Sequence, residues 1–183
     1  MLGSKTCDKC SLAIENNFKI VLPRGNIHKK LFFIGEAPGY KERKTGYVFV
    51  GKAGTLLQKF VNEYGLTYYS YFTNAIKCRP PKNRTPFMSE IITCRHKLLQ
   101  EFNTGRPKIV VLLGNSAINS YFGKEINNIT KLNNKVISIG NQIVIFGYHP
   151  SFILRYPEYI IEYHKLFKNI KTLYKYFVNN SII

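Results

Sequence analysis

The chain lacks any apolar run approaching the ~20 residues that a membrane-spanning helix requires. Its longest apolar stretches are "KIVVLLG" and "QIVIFG", and the first 25 residues contain no apolar block of the kind that marks a secretory leader. Both absences predict a soluble, cytoplasmic protein with no membrane partner. Cysteine is scarce, four in 183 residues, and in a reducing compartment so few argue for thiols or metal ligands and against a disulfide framework. Acidic side chains are few as well. Ten Asp and Glu face 27 Lys and Arg, a formal net charge of +17. Such an excess predicts attraction to polyanions, nucleic acid first, because cationic side chains neutralise phosphates and release their counterions. AT-rich coding is a second source of the same excess, since Lys outnumbers Arg 20 to 7 and Asn and Ile abound. No internal repeat is present, and low-complexity bias is confined to the "NNSII" tail.

With 45% hydrophobic and 14% aromatic residues, the chain can bury the core of one α/β domain over residues 1–183. "KKLFFIG" (29–35), "SYFTNAI" (70–76) and "KIVVLLG" (108–114) read as buried strands. "KVISIGNQIVIFG" (135–147) reads as a hairpin about Gly140-Asn141. "AGTLLQKFVNEYG" (53–65) sets Leu56, Leu57, Phe60, Val61 and Tyr64 on one helical face and stops at a capping Gly65. A second helix is predicted from about Pro86 to Phe102, with Ile91, Ile92, Leu98, Leu99 and Phe102 on its apolar face. "NSAINSYF" and residues 157–177 give two more. Alternating strands and helices predict a mostly parallel sheet covered on both faces, with ligands beyond the carboxyl ends of its strands. The loops at those ends are "GEAPGYKERKTGYVFVGKAG" (35–54), "NAIKCRPPKNRTP" (74–86) and "HPSFILR" (149–155).

Cys7 and Cys10 form a C-x-x-C pair, and Cys78 and Cys94 stand 16 positions apart. Four soft thiolates suit zinc or an iron-sulfur cluster, and spacing alone does not separate the two. Unligated core thiols fit poorly, because "CDKC" is polar and Cys78 borders a Pro-rich loop.

"GEAPG", "FVGKAG", "NAIKCRPPKNR" and "HPSFILR", in that order and with these four cysteines, cover the chain nearly end to end. In this the chain resembles the iron-sulfur uracil-DNA glycosylases, the family 4 type of the uracil-DNA glycosylase superfamily. The resemblance implies a three-layer α/β/α sandwich with a central, mostly parallel four-stranded sheet. It implies hydrolysis of the bond between uracil and deoxyribose in single- or double-stranded DNA. It also implies a structural [4Fe-4S] cluster held by Cys7, Cys10, Cys78 and Cys94, with zinc the less favoured occupant. A monomer is expected.

Excision requires the nucleotide to be flipped into a pocket, its base stacked and its edge read, and charge stabilised on both sides of the breaking bond. Phe49 matches the family position that stacks on the base; by itself it reads equally as a core residue. Asn74 suits uracil O4 and N3–H as one bidentate contact, or a plain turn. Ala37 supplies a backbone N–H to uracil in the family pattern. Glu36 is the candidate carboxylate for water and sugar, although a glutamate there can instead brace the loop by accepting backbone N–H groups. Glu42 is the second acidic candidate, and His149 the donor to uracil O2. Pro80, Pro81, Ser151 and Arg155 are expected to meet DNA, and Leu154 to fill the gap left by the flipped base or simply to pack at a helix entry. Tyr47-Val48 replaces a basic residue and proline common in the family, and Arg43 an acidic one, which predicts a less rigid pocket loop. The basic insert of the adduct-forming branch is absent from "KCRPPKNRTP", so turnover is expected. A glycosylase for another deaminated base, and a non-catalytic DNA-binding protein with a four-cysteine staple, remain as alternatives.

Overall fold

The computed structural model describes residues 6–180, so the last three residues of the "NNSII" tail lie outside the described part. Among the described residues there are six strands: β1 (Arg24–Gly25), β2 (Leu31–Gly35), β3 (Ser70–Asn74), β4 (Ile109–Leu113), β5 (Val136–Ile139) and β6 (Gln142–Gly147). They form one sheet in the order β1-β3-β2-β4-β6-β5. The four inner strands are parallel, as expected, and an antiparallel strand is added at each edge. The additions are β1, too short to leave an apolar signal, and β5, the first arm of the predicted hairpin.

The inner strands are continuous apolar runs because helices cover both faces. On one face, Phe33, Val111 and Ile145 pack against α3 (Lys52–Glu63), α7 (Pro150–Arg155) and α8 (Ile160–Asn179), through Leu57, Phe60, Ile153, Leu166 and Phe167. On the other, Ile34, Val110, Leu112 and Val144 meet Leu98 of α4 (Met88–Gly105) and Ala117 and Ile118 of α5 (Asn115–Phe122). This is the three-layer sandwich. The shorter helices are α1 (Ser11–Glu15), α2 (Tyr40–Thr45) and α6 (Ile129–Leu132).

α3 ends as expected, with Gly65 left-handed at φ 70. α4 departs from expectation in two ways. Pro86 lies ahead of its cap Phe87, and Ile92 and Leu99 are 44% and 39% exposed, whereas Ile91, Leu98 and Phe102 turn toward the core as expected. Among the described residues, no helix is long and apolar enough to cross a membrane.

Candidate active site

Strand order reverses between β2 and β4: β2 leads to β3 on one side, while β4 and β6 continue on the other. At such a switch point the loops leaving adjacent strands part and open a crevice at their carboxyl ends. A cavity of about 750 Å³ lies there. Glu36 leaves β2 on one side of it, and Gly114, Asn115 and Ser116 leave β4 on the other. Ser116 Oγ donates to Glu36 Oε2 across the crevice at 2.8 Å. Burial pushes the Glu36 carboxyl above the usual carboxylate range, an effect that the Ser116 hydroxyl and then the Arg155 charge offset in part. Ser116 carries no signal in the sequence beyond its place just after a buried strand.

Phe49 and Asn74 converge beneath Glu36. A β-carbon on Gly35 would lie 2.6 Å from both Asn74 Oδ1 and Phe49 Cζ, so the glycine vacates the space into which ring and amide fit. Phe49 is buried yet left-handed at φ 55, a costly conformation for a bulky side chain. It is held there by close approach of α3, since a β-carbon on Gly54 would meet the Phe49 carbonyl carbon at 2.1 Å, and by Arg24, which donates to its carbonyl oxygen at 3.3 Å. Asn74 is 2% exposed and lines the cavity, and among the described residues its side-chain amide has no hydrogen-bond partner. Its donor and its acceptor are therefore open to whatever enters the cavity.

Glu42 also lines the cavity, but its carboxylate is occupied. Gly39 N–H donates to Oε2 at 3.2 Å, while Val50 and Gly51 N–H donate to Oε1 at 3.0 and 2.7 Å. It thus takes up the loop-bracing arrangement considered for Glu36. Ala37 lies in the same wall. Val48, where the family has proline, donates its N–H to Leu22 O at 3.0 Å, a bond that proline could not make. Arg43 ties α2 to the amino-terminal segment, donating to Asn16 Oδ1 at 3.0 Å.

His149 caps α7 from the opposite wall. Ser151 N–H donates to its Nδ1 at 3.2 Å, and Ser151 Oγ lies 2.8 Å from the same nitrogen. Burial, then the nearby Arg155 charge, lowers its pKa to about 4, so the ring is neutral at physiological pH. A neutral ring that accepts at Nδ1 carries its proton on Nε2, which has no partner among the described residues. Arg155, Ser151 and Pro80 line the cavity. Pro81 is exposed, and Leu154, 46% exposed, stands outside the cavity on α7.

The four cysteines meet on the far side of β3. All line one small pocket with Leu12, Ile20, Ile76, Lys77 and Lys97, and none is in a disulfide. Burial, then the neighbouring Cys94, Cys10 and Cys7, pushes the Cys78 thiol up to about 12, with Lys97 opposing. Burial likewise raises Cys94, against the charge and backbone N–H of Lys77. Thiols that raise one another's pKa are the donor set that a cationic metal group would relieve by deprotonating them. Among the described residues, however, no three His, Cys, Asp or Glu side chains are gathered so as to hold a metal ion.

Residues 22–176 match the Uracil DNA glycosylase superfamily. The chain belongs to that superfamily. The type-4 uracil-DNA glycosylase of Thermotoga maritima is 39% identical over 129 residues, 70% of this chain and 67% of that one. That of Saccharolobus solfataricus is 41% identical over 126 residues, 67% of this chain and 57% of the other. A type-5 uracil-DNA glycosylase from Pyrobaculum aerophilum is 34% identical over 113 residues, 53% of this chain and 50% of that one. The superfamily match begins after Cys7 and Cys10 and takes in both walls of the cavity.

Proposed function

We propose that the chain is a single-domain, monomeric uracil-DNA glycosylase that flips uracil out of DNA and hydrolyses its N-glycosidic bond, leaving free uracil and an abasic site. One observation carries the reading. A single cavity at the switch point gathers an aromatic ring, the unpaired amide of a buried asparagine, a half-buried carboxylate and a neutral histidine with an unpartnered Nε2–H.

The extruded base stacks on Phe49, whose backbone is fixed before substrate arrives. Asn74 then donates to O4 and accepts from N3–H, a pairing that cytosine does not match. As the glycosidic bond lengthens, negative charge gathers on uracil O2, to which His149 Nε2–H donates, while the Ala37 N–H offers a second contact. Glu36, ionised and held by Ser116, faces the developing oxocarbenium and orients the attacking water. Glu42 acts as a positioning residue, fixing the loop that carries Ala37 and Phe49. Arg155, Ser151, Pro80 and Pro81 meet the DNA backbone, and Leu154 enters the gap left in a duplex. Cys7, Cys10, Cys78 and Cys94 would hold a [4Fe-4S] cluster, which would supply a cross-link and no chemistry. Four soft thiolates lining one pocket suit such a cluster, with zinc the less favoured occupant of the same donor set.

The test is incubation of the purified protein with uracil-containing and uracil-free oligonucleotides, followed by alkaline cleavage of abasic sites. Scission only of the uracil strand is expected. Glu36→Gln and His149→Ala should each lower the single-turnover rate by about 10²- to 10³-fold with little change in DNA affinity. Parent-like rates in both variants would refute the assignment.

A further inference from the structure

Two exposed aromatic side chains stand beside the cavity, each with a guanidinium over its ring. Phe87 is 59% exposed, and the Arg84 Cζ lies 3.8 Å from its centroid. Arg84 is clamped there by both carboxylate oxygens of the buried Glu90, at 2.6 and 2.9 Å, and Glu90 also accepts the Phe87 N–H at 2.8 Å. Tyr40 is 63% exposed, with the Arg79 Cζ 5.5 Å from its centroid; Arg79 Nε donates to Asn83 Oδ1 at 2.6 Å. Gly39, Asn83 and Arg84 belong to the cavity wall, so both pairs sit at its edge.

Rings this large are usually buried. Here the guanidinium covers part of each ring and leaves much of it to solvent. Base planes stack on such surfaces whatever their sequence, and a cation against the ring strengthens it. The Glu90 pairing makes Arg84 a rigid support, whereas Arg79 and the exposed Lys82 keep their charge for phosphates. In a duplex the bases beside uracil are already stacked and paired. In a single strand they are open to a ring.

We infer that Phe87 on Arg84 and Tyr40 on Arg79 form a stacking platform for the bases of single-stranded DNA that flank the extruded uracil. The inference rests on the excision activity proposed above. The test measures affinity for a non-cleavable uracil analogue in single-stranded and duplex oligonucleotides, with the parent, Phe87→Leu, Phe87→Trp and Tyr40→Leu. In Phe87→Leu the ratio of single-strand to duplex affinity should fall by about 5- to 150-fold, the cost of one lost stack, and Phe87→Trp should restore it. 2-Aminopurine placed beside the analogue should be quenched by the parent and brighter with either leucine variant. Losses equal in single strand and duplex, no loss at all, or 2-aminopurine unquenched by the parent would overturn the platform. Excision by the parent is measured alongside: if it is absent the glycosylase reading fails, and if it is present while both leucine variants bind like the parent the platform alone fails.

Discussion

Replacing Ser116 by alanine isolates the hydrogen bond that spans the crevice. The hydroxyl donates to Glu36 Oε2 at 2.8 Å and is the larger of the two influences that hold the carboxyl down against burial. A hydrogen bond to a charged group contributes about 1.5–3 kcal/mol. Its loss should raise the Glu36 pKa further, because the charged form loses more than the neutral one. Because the ionised form is the working one and its folded pKa is already raised, activity is present above that pKa and fades as pH falls through it. Ser116→Ala should therefore move the acid limb of the single-turnover profile to higher pH, with a loss of about 10- to 100-fold on the limb that shrinks on the alkaline plateau. Ser116→Thr, which keeps the hydroxyl, should restore the parent midpoint. In Glu36→Gln the limb should vanish, leaving only the lower transition of His149, whose pKa is about 4. Profiles of Ser116→Ala and parent that run parallel, with one midpoint and a constant ratio, would refute the reasoning.

Gly54→Ala should cost about 1–3 kcal/mol of stability by overpacking against the Phe49 backbone, read as a lower denaturation midpoint, and should weaken uracil-DNA binding as the ring shifts. Asn74→Asp keeps the face toward N3–H and makes the face toward O4 repulsive; uracil excision should fall and weak cytosine excision appear, both visible on paired oligonucleotide substrates. DNA affinity should fall steeply with salt, and a nearly flat plot of log affinity against log salt would assign the +17 charge to coding bias. The purified protein should be brown, with iron and sulfide by elemental analysis, and Cys78→Ala should reduce the yield of soluble protein; colourless, active protein with stoichiometric zinc would refute the cluster.

The inner sheet was legible because each strand buried on both faces must be apolar throughout, as "LFFIG" and "IVVLL" are. β1 was not, since a two-residue edge pairing needs no apolar side chain. Ile92 and Leu99 misled because composition does not reveal which of two adjacent helical stripes meets the sheet. Glu36, Phe49, Asn74 and His149 line one cavity, and each lies in a motif visible in the sequence. Ser116 was missed: a serine in an unremarkable helix gains its role from tertiary placement alone, across a switch point that only strand order reveals. The left-handed backbone of Phe49 was equally hidden, because it is imposed by contact with Gly54.

The switch point divides the cavity between two stretches of chain. One wall, with Glu36, Phe49 and Asn74, is complete by β3, whereas the other, with Ser116, His149 and Arg155, belongs to the last 70 or so residues. All four cysteines lie before residue 95. As a ribosome releases the chain from its amino terminus, the thiols can therefore gather while half of the sheet and one wall of the cavity are still missing. A nascent or prematurely ended chain thus carries the four thiols without the second wall, and the crevice closes only once residues 116–155 have been added.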